Sequence, residues 1–67
     1  MIFLAPRKHY DKAIIKIENE IVYYDYQILI DCIMDELECS EIDAIDWYYY
    51  NIIGSSLPGW PVVIDND

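Results

Sequence analysis

The first regular pattern along the chain lies between residues 12 and 24. Lys12 to Ile17 is rich in β-branched residues (Ile14, Ile15, Ile17), and Ile21-Val22-Tyr23-Tyr24 repeats that character after the polar Glu18-Asn19-Glu20. β-Branched and aromatic side chains fit a pleated surface, and Asn tolerates the left-handed backbone of a tight turn. A β-hairpin is predicted here. Residues 1–11 have no clear period; Ile2-Phe3-Leu4 is a candidate short strand that Pro6 would interrupt.

From Tyr26 the period lengthens to that of a helix. Asp25 is the expected N-cap, because its carboxylate can accept from the first free amides. The helix is predicted from Tyr26 to about Glu38. At about 100° per residue, Tyr26, Leu29, Ile30, Ile33 and Leu37 form a core stripe, while Asp31, Asp35 and Glu38 share the opposite side. Ser40 opens a second helix, and with Asp43 it approximates a capping box. Here Ile42, Ile45, Tyr49 and Ile52 are the expected core face, with Tyr48 at its edge. Asp43, Asp46, Trp47 and Tyr50 are expected to point away. Gly54 stands where a C′ glycine ends a helix. Ser55 to Pro61 reads as a turn-rich loop, Val62-Val63-Ile64 as a third strand, and Asp65-Asn66-Asp67 as a solvated tail.

The order strand, strand, helix, helix, strand predicts an α+β fold in one domain spanning residues 1–67. The simplest arrangement is a small antiparallel sheet with both helices packed on one face, which buries both helical stripes. Sixty-seven residues leave room for a thin core only, but the chain is 55% apolar and 15% aromatic, which predicts that it folds. No apolar run approaches the ~20 residues of a membrane-spanning helix. The first ten residues put charge after apolar residues, the reverse of a secretory signal, so a cytoplasmic location, in a host cell, is expected.

Charge sharpens the picture. The four basic residues (Arg7, Lys8, Lys12, Lys16) all lie in the first sixteen positions and, with Asp11, give that segment a net charge of +3. Residues 17–67 hold twelve carboxylates and no Lys or Arg, a net of −12, for a total of −9. Such a field repels nucleic acid and membrane phosphates and attracts basic protein surfaces. The candidate partner-binding residues are Asp31, Asp35, Glu38, Glu41, Asp43 and Asp46, an acidic surface able to imitate phosphates, with Trp47 and Tyr50 as aromatic anchors beside it. The competing reading is a solvated helix face whose charge serves solubility, with Trp47 and Tyr50 packed against the first segment, the last strand or a second subunit.

The chemistry of catalysis is missing from the pattern. His9 is the single histidine and pairs with no Ser or Cys at a recognisable spacing. Cys32 and Cys39 do not make a zinc site without further ligands. Cys32 is expected beside the buried stripe, Cys39 at the interhelical junction, and Asn51 bonded to the backbone after Gly54. No enzyme activity, cofactor or metal is expected.

Tyr24-Asp25-Tyr26, Ala44, Tyr50-Asn51 and Pro61 stand at the recurring points of a pattern that covers roughly residues 12–64. In this it resembles a group of short acidic phage and prophage proteins. Their pattern is a strand ending in Val-Tyr-Asp-Tyr, an acid-ended helix, a second helix with a Tyr-Asn segment, and a Pro-led strand. Ile42-Asp43 and Gly59-Trp60 depart from it. The resemblance implies a phage origin and the same order of elements, and supplies no catalytic residue. It implies a function as well: small acidic phage proteins often block host machines that hold nucleic acid, including restriction and CRISPR complexes. The expected partner is therefore a basic host protein or nucleoprotein complex, with no direct contact to nucleic acid or membrane. The alternative is a structural or regulatory homo-oligomer, such as a homodimer.

Overall fold

The computed structural model describes residues 1–54 and 57–65. Residues 55–56, in the expected loop, and 66–67, in the expected tail, lie outside the described residues. Leu4 is buried without strand pairing, its N–H donating to the Tyr24 hydroxyl at 2.9 Å. Pro6, in extended conformation, is the N-cap of α1 (Arg7–Tyr10), and its carbonyl accepts from the His9 N–H at 3.0 Å. A 3-10 turn over Asp11–Ala13 follows, so the first strand begins two residues later than its composition suggests. Ile2-Phe3-Leu4 forms no strand.

β1 (Ile14–Glu18) and β2 (Ile21–Asp25) form the expected hairpin, antiparallel, with a bulge between Ile14 and Lys16. Asn19 and Glu20 make its two-residue turn with φ of 52° and 65°. Positive φ at both central positions is the signature of the type I′ turn, whose twist matches that of the strands. β3 (Val62–Ile64) pairs with β2 on its other side, Tyr23 opposite Val62 and Asp25 opposite Ile64. The sheet order is β1-β2-β3. The α+β class and the order of elements hold, but β3 runs parallel to β2, so the sheet is mixed rather than antiparallel. Parallel neighbours need a crossover of a dozen or more residues, and the two helices between β2 and β3 supply it.

α2 (Tyr26–Leu37) starts where expected, with the Asp25 carboxylate accepting from the Ile28 N–H at 3.0 Å. It ends at Glu38, which takes the left-handed conformation (φ 52°) and reverses the chain. Ser40 Oγ accepts from the Asp43 N–H at 3.3 Å to open α3 (Glu41–Tyr48). The helix then widens into a π-helical turn, Tyr49–Ile53, closed by the Gly54 N–H donating to the Tyr49 carbonyl at 3.0 Å.

The core joins Val22 and Tyr24 of β2, Leu29, Ile30, Cys32 and Ile33 of α2, and Ala44, Tyr48 and Ile52 of the second helical segment. Each large aliphatic side chain so buried contributes about 1.5–3 kcal/mol of transfer free energy. The α2 stripe is as expected except at Leu37, which is exposed. The α3 face is as expected at Ile45, which is half-buried, and at buried Ile52, but rotated elsewhere. Ala44 and Tyr48 face the core, whereas Ile42 (74% exposed) and Tyr49 face outward. A small residue at the helix contact lets α3 approach α2, and the Tyr48 ring meets Tyr26 edge-on at 5.3 Å. Leu37 and Ile42 flank the reversal at Glu38, so the core stops short of the interhelical turn. No helix among the described residues is long and apolar enough to cross a membrane.

Candidate protein-binding surface

Asp31 and Asp35 lie one turn apart on α2, and Glu38 follows at its left-handed end. Glu41, Asp43 and Asp46 belong to the first turns of α3. All six are exposed. The ion pairs among the described residues are Arg7–Asp11 at 3.0 Å and Lys16–Glu18 at 2.9 Å, so none of these six carboxylates is neutralised by a basic side chain. Arg7 also stacks over Phe3 at 3.7 Å and Lys16 over Tyr23 at 4.7 Å. Two of the four basic residues are thereby engaged internally. The Lys16–Glu18 pair raises the lysine's pKa and lowers the carboxylate's, chiefly through their hydrogen bond.

The two aromatic candidates part company. Tyr50 is 84% exposed, as an anchor for a partner must be. Trp47 turns inward, half-buried against the core. Stepping around α3 and the π-turn explains the split. Ala44, Tyr48 and Ile52 set the inward direction, which leaves Ile42, Asp46, Tyr49 and Ile53 on the far side with Asp43 and Tyr50 beside them. The apolar members of that outward face are all exposed. The surface of α3 is therefore a mixture of carboxylates with large apolar and aromatic side chains, richer in contact area than the charge pattern suggested. Burial of the Tyr48 hydroxyl on the inner side pushes its pKa up to about 12.

Where Trp47 turns inward it meets the N-terminal segment. Phe3, Tyr10, Trp47 and Trp60 converge on a partly open cavity of about 250 Å³, with Ala5 and Asn51 also on its walls. The Trp60 indole N–H donates to the Ile52 carbonyl at 2.9 Å, and the Asn51 amide donates to the Trp47 carbonyl at 3.0 Å, one turn back. Tyr10 is fully buried and its hydroxyl donates to the Glu36 carboxylate. Its pKa is raised, first by burial and then by the hydrogen bond and charge of Glu36. Glu36 is thus the one acid of α2 drawn toward the interior. Phe3, Tyr10 and Trp60 escaped the sequence reading because they sit in segments without a period. Their only signal was bulk, Tyr10 and Trp60 lying outside the predicted elements and Phe3 in a candidate strand that does not form.

Cys32 is buried and Cys39 half-buried, both as free thiols, and burial pushes the Cys32 thiol pKa up. Among the described residues no group of three or more His, Cys, Asp or Glu is placed to hold a metal ion. Comparison of the chain with protein-family models, curated proteins and solved structures finds no match.

Proposed function

We propose that this protein acts by binding, docking the outward face of α3 on a basic protein that handles nucleic acid and excluding that protein's normal ligand. The observation that carries this reading is the composition of one helix face. Ile42, Tyr49, Tyr50 and Ile53 stand exposed among Asp43 and Asp46, with no basic side chain paired to either acid. Apolar and aromatic side chains supply contact energy, and the unpaired carboxylates select a positive partner and steer it in. Asp31, Asp35, Glu38 and Glu41 extend the negative field around that face. Together with the resemblance to phage proteins, this makes a host nucleic-acid machine, such as a defence complex, the favoured target.

The test is capture from a bacterial lysate at low salt on immobilised wild-type protein, with Asp43→Lys/Asp46→Lys and Tyr50→Ala as controls. A basic protein held by the wild type, released by added salt and lost with both variants supports the proposal. Equal capture by the charge-reversed variant sinks it.

The same exposed side chains, together with Ile15 and Ile17 on the edge strand β1, favour self-association as a second reading. A particle twice the chain's mass in light scattering, reduced to monomer by Ile42→Asp, would support that reading instead.

A further inference from the structure

The cavity between the N-terminal segment and Trp47 has the properties of a ligand site, and it is independent of the acidic face. Its walls carry four aromatic rings from separate parts of the chain and no charged side chain. Tyr10, Asn51 and Trp60 already spend side-chain hydrogen bonds within the protein. Among the described residues no buried side-chain polar atom lacks a partner. A polar ligand thus finds few groups to bind, and water gains little by entering. Apolar cavities of this kind lose dispersion contacts while empty and regain them when an apolar guest enters.

Size narrows the guest further. An apolar cavity of about 150 Å³ takes up benzene, whereas drug-sized ligands occupy pockets of about 300 Å³ or more. At about 250 Å³ this one suits a single substituted ring and is too small to enclose a nucleotide or larger cofactor. Charge offers no advantage to an ion. The chain's overall field is negative, but the segment that supplies Phe3 and Ala5 continues into Arg7 and Lys8, and burying either sign in an apolar site carries a desolvation penalty. We infer that the cavity is a binding site for one neutral, ring-sized apolar small molecule.

The two tryptophans of the chain both line the cavity, so intrinsic fluorescence reports its occupancy. Toluene, benzylammonium and benzoate share a ring and differ in charge, and they are the probes. Toluene should give a saturable change in tryptophan emission and a higher melting temperature, since a ligand that binds only the folded state stabilises it by mass action. The two ions should bind about tenfold more weakly or worse. Ala5→Leu places a larger side chain at the exposed wall and should weaken toluene binding about tenfold or more, with an unchanged circular dichroism spectrum. An uncharged pentapeptide with one central phenylalanine presents the same ring as a protein side chain. Weaker binding of the peptide than of toluene supports a free molecule as the guest, and tighter binding overturns that assignment. The inference is overturned if toluene produces no saturable change, if an ion binds as tightly, or if Ala5→Leu keeps its fold and full affinity.

Discussion

Asn19 and Glu20 together show how much a single residue can be worth here. Both have positive φ in the hairpin turn, a conformation Asn tolerates and Glu does not favour. Glu20→Gly creates the Asn-Gly pair preferred by this turn and should stabilise the fold by about 1 kcal/mol, read from chemical denaturation. Gly59 is the opposite case. Its φ of 78°, behind Pro58, closes a turn in which the Trp60 N–H donates to the Leu57 carbonyl at 3.0 Å. Gly59→Ala should cost about 1–2 kcal/mol through backbone strain alone, because nothing crowds a Cβ there. The tyrosines give the pH dependence. Folding raises the pKa of Tyr48 from 10.0 to about 12, and that of Tyr10 upward too, so the folded state favours the protonated phenols. This contribution is intact below about pH 10 and is lost as pH rises through the folded values. Stability should therefore fall above about pH 10, and Tyr48→Phe should flatten the fall; an unaltered pH profile in that variant would contradict the burial argument.

At the scale of elements, the hairpin, both N-caps and the order of strands and helices were legible because each is written locally. Asp25 and Ser40 cap through their own side chains, and the Asn-containing turn lies between two β-branched runs. The direction of β3 was not legible, since it depends on how two helices pack between strands. The face of α3 was misread in part, for a related reason. Hydrophobic spacing favoured Ile42 and Tyr49, but close helix packing favoured the smaller Ala44, and exposure followed packing. Gly54 carries a second lesson. It occupies the expected helix-ending position, yet its φ of −68° is right-handed. What requires glycine is space, because a Cβ would lie 2.8 Å from the Tyr50 carbonyl oxygen. Gly54→Ala should cost about 1–3 kcal/mol and shift the π-helical turn, which the amide resonances of Tyr49 to Ile53 would report.

The whole molecule divides its charge and its rings unequally. The basic N-terminal segment folds back over the core, with Leu4 held by Tyr24 and Arg7 held by Asp11, while the carboxylates of α2 and α3 other than Glu36 stay in solvent. Of the sequence-derived anchors, Tyr50 lies on the outer surface, and Trp47 belongs to the cavity wall. Sequence patterning located the acids because charge on an amphipathic helix reads directly as exposure. It did not locate the cavity, whose walls come from residues 2 to 60 and meet only in three dimensions. The proposed docking face is the point at which charge and apolar area coincide. The most direct measurement of the central claim is the salt dependence of partner retention by wild-type protein and by Asp43→Lys/Asp46→Lys, with both shown to be folded. The account predicts a basic partner held by the wild type, released as salt rises, and not retained by the variant at any salt. Retention by both proteins to the same degree would contradict it.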